Sequence, residues 1–379
     1  MSTTTKPPNP TIVIIDGLNN ADNIIFGASS GTVSGDITTS YELFGGAHGY
    51  NELVGDADFL SDYQQTVGNL LIGGDYSTNL MIGTAYTADS SKPGPNTGIL
   101  TIGSNTIRGG ANSTNTAYGD AYDFTVYGVG GHNALYGGVN STNTMAGDAY
   151  FMDDFVTGGN NTLVGGANSL NTLAGDAMTM NGPVSGGHNH VTGGANAYNV
   201  LFGAAQAMTG GSSTTANVVT GGADSTNYEY GDAQTITNST GGGNTVTGGG
   251  AGSTDYLYGD AQTASYGANV AYGGGNTVVA GSGSVSYMWG SGTDGDRFNA
   301  SNTFVFAKGD NLAYIEDFRA VGTLASFTDT IDLKGFANLS AFSQLDITPS
   351  GGNSTVHLGA DTLVVLNATG LFAGDFRFG

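Results

Sequence analysis

An asparagine, an apolar residue two positions later and a glycine two positions after that form a pattern that recurs along most of this chain. In one series the asparagines are Asn23, Asn51, Asn79, Asn115, Asn143, Asn171, Asn199 and Asn227, and Asp255 ends it. Their apolar partners are Ile25, Leu53, Met81, Ala117, Met145, Leu173, Leu201 and Leu257, with Glu229 as the exception. A second series runs through Asn69, Asn105, Asn133, Asn161, Asn189, Asn217 and Asn244, followed by Leu71, Ile107, Leu135, Leu163, Val191, Val219 and Val246. Residues two apart on a strand share a face, so each asparagine and its apolar partner point the same way.

The glycines closing the first series, from Gly27 to Gly259, step by 28 residues, except that Gly83 to Gly119 spans 36. The surplus coincides with Ser91 to Pro95, a Pro-Gly stretch that reads as an inserted loop. A fixed period of this length marks stacked structural repeats. The predicted fold class is therefore all-β: a parallel β-solenoid (β-roll or β-helix) of about nine 28-residue coils with a C-terminal β cap. A variable run after each Gly-Asp-Ala supplies a further strand, giving two or three strands per coil. The alternative is a set of β-hairpins in a sandwich. Stacked coils place like residues over like at about 4.8 Å, so nine coils make a rod of roughly 45 Å. The apolar columns form the core, and the asparagine columns pass amide hydrogen bonds from coil to coil. The Gly-Gly and Gly-Asp pairs are expected to turn the corners through positive φ. The expected division is a flexible arm at 1–11, the shaft at 12–290 and the cap at 291–379.

Composition narrows the function. Glycine supplies 66 of 379 residues, but with 7 prolines and no three-residue period the chain is not collagenous. Its 17 Phe and 19 Tyr are too many for a disordered chain. The formal net charge is −23, and between Pro93 and Asp296 the only Lys or Arg is Arg108. Such a surface excludes nucleic acid as a partner and is repelled by anionic membranes. The N-terminal apolar run, Ile12 to Ile15, is too short for a signal-peptide core or a membrane span, so membrane insertion is not expected. Cations are the natural partners, Ca²⁺ first among them outside a cell. No cysteine is present to form disulfides.

The stretch GLNNADNIIFG, Gly17 to Gly27, resembles the nonapeptide of the RTX family of type I secreted proteins, whose repeats G-G-x-G-x-D-x-U-x build a calcium-loaded parallel β-roll. Asp22 keeps the family's acidic position there. In the shaft the resemblance loosens: in GGANSLNTLAGDA, Gly165 to Ala177, Asn171 stands where the family has its ligand aspartate. An amide is a weaker Ca²⁺ ligand than a carboxylate, so few or no ions are expected in the shaft. The last 85 or so residues resemble the domain that follows RTX repeats, through NTFVF (Asn302 to Phe306), IEDF (Ile315 to Phe318), DTIDLKGF (Asp329 to Phe336) and SGGNSTVHLGADTLVVL (Ser350 to Leu366). GDFRF before Gly379 is similar to a type I secretion tail. The resemblance implies export from a bacterium by a type I system, an extracellular or cell-surface location, and Ca²⁺ mainly in the C-terminal domain at Asp294, Asp296 and Asp317, with Asp329 and Asp332 beside them.

Catalytic patterns are missing from the remaining residues. No Gly-Lys-Ser/Thr follows a glycine-rich loop, no His-Glu-x-x-His occurs, and no Gly-x-Ser-x-Gly sits at a strand-to-helix turn. His188 and His190 flank Asn189 and could share a face, but His132 stands before Asn133 in the same way, which marks a repeat position. Tyr118, Tyr136, Phe202, Tyr230 and Tyr258 could form a sugar-stacking stripe or simply cover the shaft. Thr-x-Thr at Thr114/Thr116 and Thr142/Thr144 is like that of ice-binding solenoids, but the pattern stops at Leu170/Thr172. The expectation is a non-enzymatic extracellular structural protein, self-assembling into a filament, sheath, surface layer or biofilm matrix. The alternatives are a monomeric adhesin or polysaccharide-binding module and, behind these, an ice-binding protein.

Overall fold

The computed structural model describes residues 11–33, 35–61, 64–89, 99–125, 127–265, 273–293, 300–321 and 327–379. The chain winds as a parallel β-solenoid with three strands per coil. Thr162–Val164, Leu170–Ala174 and Ala177–Asn181 make one coil, and each pairs in parallel with its equivalents in the coils before and after. Among the described residues the first sheet has 13 strands, the second 14 and the third 9. Register is strict: Leu135 lies beside Leu163, Leu163 beside Val191, and Asn143 beside Asn171. It survives the 36-residue step, since Asn79 still pairs with Asn115 and Leu71 with Ile107.

The apolar columns of the first two sheets face each other. Leu71, Ile107, Leu135, Leu163 and Val191 pack against Met81, Ala117, Met145 and Leu173, all essentially inaccessible to solvent. A second cluster lines the third sheet, with Phe124, Met152, Met180, Met208 and Ile236 stacked over the small alanines of each Gly-Asp-Ala. Fully burying one such large side chain stabilises by about 1.5–3 kcal/mol, and stacking repeats that contribution coil after coil.

The glycines act differently from expectation. The corner glycines of the repeat do not carry positive φ; that conformation falls on the asparagine of Gly-Gly-Ala-Asn or Gly-Gly-Val-Asn, with φ of 53° at Asn112, 52° at Asn140, 53° at Asn168 and 50° at Asn196. Asparagine visits this region more readily than other side-chain-bearing residues. What the corners require is the absence of a Cβ. One added at Gly147 would lie 1.8 Å from the Gly175 carbonyl oxygen, and one at Gly74 would lie 2.0 Å from that of Gly46.

The third sheet ends at Ala261–Ser265, but the first and second run on through the C-terminal segment. Thr303–Ala307 and Thr330–Lys334 extend the first sheet, and Phe376–Phe378 closes it. Asn311–Ile315 and Asp361–Val365 extend the second, which finishes with the antiparallel strands Asn353–Leu358 and Asp346–Ser350. Val246, Leu257 and Met288 share one apolar cluster with Phe304, Phe306, Leu363 and Phe376. The segment after 290 is thus packed on the shaft as further coils and a hairpin.

Candidate functional site

Three buried polar columns run along the solenoid. In the first, each asparagine Nδ2 donates to the Oδ1 of the asparagine one coil on: Asn23 to Asn51, Asn51 to Asn79, Asn79 to Asn115, Asn115 to Asn143, Asn143 to Asn171, Asn171 to Asn199 and Asn199 to Asn227, at 2.7–2.9 Å. Each amide also closes its own turn. The Gly166 N–H donates to Asn171 Oδ1 at 2.9 Å, and Asn171 Nδ2 donates to the Gly166 carbonyl at 2.9 Å. Every hydrogen-bonding valence of the buried amide is thereby used.

The second column is wired differently. Here the backbone N–H of each asparagine donates to the next side-chain Oδ1, as from Asn133 to Asn161 at 2.8 Å and from Asn161 to Asn189 at 2.9 Å. This frees Nδ2 to reach across the coil. Asn133 Nδ2 donates to the Gly147 carbonyl at 2.8 Å and to Asp120 Oδ1 at 2.8 Å.

Those aspartates form the third column, which sequence reasoning missed. Asp56, Asp120, Asp148, Asp176, Asp232 and Asp260 come from the repeated Gly-Asp-Ala, and each is 0% exposed. Glycine amides meet them: Gly131 N–H donates to Asp120 at 2.9 Å, Gly159 to Asp148 at 3.0 Å and Gly187 to Asp176 at 2.8 Å. Burial pushes the Asp56, Asp120 and Asp232 carboxyls up to about 7. Asp148, Asp176 and Asp260 are raised well above the usual carboxylate range, first by burial and then by Asp120, Asp148 and Asp232 respectively. The column falls into runs, because Thr84, Ala204 and Ser291 take the equivalent place in other coils. The aspartate ending each run, Asp56, Asp176 or Asp260, keeps one carboxyl oxygen without a hydrogen-bond partner. The available signal was the 28-residue spacing of Gly-Asp-Ala, whose Gly-Asp pair reads only as a corner of the coil.

The carboxylates matched to calcium positions lie apart from these columns. Asp22 is exposed and accepts the Tyr50 N–H at 3.1 Å. Asp317 accepts the Gly290 and Ser291 N–H groups at 2.7 and 3.1 Å, and burial pushes it up to about 6. Asp329 accepts the Asn302 N–H at 2.8 Å and pairs with Arg319 at 3.0 Å. Asp332 pairs with Arg377 and, at 3.6 Å, with Lys334. Asp294 and Asp296 lie outside the described residues. Among the described residues no three His, Cys, Asp or Glu side chains gather as a metal centre would require. Asp329 and Asp332, already held by basic side chains, do not fit a calcium ligand set.

The aromatic residues split into separate features. Tyr118, Phe202, Tyr230 and Tyr258 are buried in a cluster between the second and third sheets, whereas Tyr136 sits on the first sheet with Arg108 over its ring at 4.6 Å. The half-exposed row is a different one: Tyr228, Tyr256, Tyr287 and Tyr314 stack at 4.6, 5.2 and 5.0 Å with planes 7–9° apart. Each inner ring has both faces covered by its neighbours, so edges and hydroxyls point outward. His188 and His190 meet edge to face at 5.2 Å. His132 Nδ1 accepts the Asn160 N–H at 2.7 Å, linking one coil to the next.

The two ends of the solenoid differ. At the start, Thr11–Asp16, Asn23–Phe26 and Ser29–Val33 each pair on one side, and no described strand covers their outer edges. Ile12, Ile14, Leu18 and Ile24 are exposed there by 59–72%. At the other end the antiparallel hairpin finishes the second sheet.

Compared with known proteins, the chain matches no family model and no curated protein. Its architecture defines it as a repeat protein of the parallel β-solenoid class, consistent with an RTX-like repeat protein. No helix among the described residues is long and apolar enough to cross a membrane.

Proposed function

We propose that this chain is an extracellular structural protein whose shafts associate into a filament, sheath, surface layer or biofilm matrix. The observation that carries the reading is the N-terminal end: three strand edges without a described partner, beside exposed Ile12, Ile14, Leu18 and Ile24. Unpaired edges with apolar side chains are templates for pairing with another chain. Residues 1–10, outside the described residues, are the proposed arm that adds a strand to a neighbour. The reading assigns no catalysis. It takes bacterial type I export, and any calcium at Asp294, Asp296 and Asp317, from the sequence resemblance alone. A monomeric polysaccharide-binding role has less support, because the half-exposed tyrosines spend their ring faces on one another.

The test is sedimentation velocity across a wide concentration range, with negative-stain microscopy, on the native chain and on Ile12→Lys/Ile14→Lys/Ile24→Lys. The native chain is expected to form concentration-dependent multimers and the variant to stay monomeric. A native chain that stays monomeric at the highest concentration sinks the proposal.

A further inference from the structure

An open groove of about 500 Å³ follows the turns between the first and second sheets, from Tyr76 across four coils to Leu170. Asn140, Ser141 and Thr142 make one rung of it. Ser141 is buried and forms the floor, while Asn140 and Thr142 flank it in the sequence and are exposed. The floor has no bonding capacity to spare: Ser141 Oγ accepts the Ser113 N–H at 3.0 Å and donates to the Val139 carbonyl at 2.8 Å. The rims keep theirs for solvent. Asn112, Thr114 and Asn168 are exposed as well, and the bond from Asn140 Nδ2 to Asn112 Oδ1 is long, at 3.4 Å. None of the described residues lining the groove is charged, in a chain of formal net charge −23.

Both ends of the groove carry apolar surface. At one, Tyr76 stands where the next coils have asparagine, and it is 59% exposed. It holds a φ of 52°, a conformation that asparagine adopts far more readily than tyrosine. A bulky residue kept in that region against its backbone preference points to a use for its side chain. His48 stacks on one face of the Tyr76 ring at 5.1 Å, and no ring among the described residues covers the other face. At the far end Leu170 replaces the threonine of the rung and is 45% exposed, with Tyr198 paired beside it and 46% exposed. Each coil advances by about 4.8 Å, so the rims offer an amide and a hydroxyl at that interval. A pyranose in an extended chain is close to that length, carries hydroxyls at its edge and presents C–H groups to an aromatic face. Amides and hydroxyls bond such hydroxyls in both senses without a charge. A lining without Lys or Arg does not select an anionic polymer.

We propose that this groove binds a straight, neutral polysaccharide of the β-linked glucan type, one sugar to a coil, with Tyr76 as the stacking platform. The site uses neither the open N-terminal end nor the stacked tyrosine row, so it serves a single shaft as well as an assembled one. It is tested by calorimetric titration of the full chain with cellobiose and cellotetraose, and by electrophoresis through gels holding hydroxyethyl cellulose or the anionic polymer alginate. Four rungs predict that cellotetraose binds at least about tenfold more tightly than cellobiose. Hydroxyethyl cellulose should retard the chain and alginate should not. Tyr76→Asn and Thr142→Leu install what Asn112 and Leu170 already carry in other coils, so both variants are expected to fold and to melt as the native chain does. Each should weaken cellotetraose binding by about tenfold, the worth of one good stacking or hydrogen-bonding contact. Tyr256→Phe, outside the groove, should leave it unchanged. A native chain that binds neither cellotetraose nor hydroxyethyl cellulose overturns the proposal. So does equal affinity for the two oligosaccharides, or native affinity in both groove variants.

Discussion

Replacing Asp120 by threonine tests whether the buried aspartate column is held by protons. The carboxyl is raised from 3.8 to about 7, chiefly by burial, with its glycine and asparagine donors acting in the opposite direction. A folded-state pKa above the unfolded one contributes stability that is complete below about pH 4 and is lost as pH rises through 7. A shift of roughly three units corresponds to about 4 kcal/mol for one such group. Threonine is the natural replacement, since Thr84 occupies the column in another coil and its hydroxyl accepts Asn105 Nδ2 at 3.0 Å. The variant forfeits the bond from Gly131, leaving a buried N–H at a cost of about 1–3 kcal/mol at any pH. At pH 4 Asp120→Thr is therefore expected to melt below the native chain. At pH 8, where the native chain bears the cost of a charged buried carboxylate, the order should reverse. Circular-dichroism melts from pH 4 to 9 give the two curves. Parallel curves that never cross would refute the argument, since a purely structural loss does not depend on pH in this window.

Two other perturbations probe the columns and corners. Asn171→Ala leaves Asn143 Nδ2, Asn199 Oδ1 and both polar groups of Gly166 without their amide, so a loss of several kcal/mol is expected. Limited proteolysis should then cut first near that coil, and a cleavage pattern like the native one would count against the ladder as a stabilising element. Gly147→Ala forces a Cβ to within 1.8 Å of the Gly175 carbonyl oxygen and should push adjacent coils apart. Soluble protein with an unchanged melting temperature would show that the corner has slack.

The 28-residue beat made the architecture legible because a solenoid repeats contacts as well as residues. Asn171 above Asn143 and Leu163 above Leu135 follow from spacing alone once the strands are parallel. What spacing cannot disclose is where a small polar residue points. The Asp of Gly-Asp-Ala has the sequence character of an exposed turn, and a charge count treats it as solvated, yet the chain folds it inward against glycine amides. Glycine misled in the same way: its usual association with positive φ concealed that, at Gly147, the constraint is the approach of the next coil. The tyrosines failed as a single stripe because Tyr118 and Tyr136 belong to different sheets, a distinction that required the position of every corner.

The aspartate column also bears on how the shafts meet. Thr84, Ala204 and Ser291 occupy the same position, so the fold there needs a small side chain and often an acceptor, but not a negative charge. Raised carboxyls in most of the other coils mean that the formal −23 overstates the charge the folded chain carries in mildly acidic solution. Protons in the column remove negative charge from the interior without altering a surface residue. Mutual repulsion between acidic shafts falls as that charge falls. Acid should therefore favour both the compact coil and the approach of one coil stack to another, whereas alkaline conditions oppose both through the same buried groups.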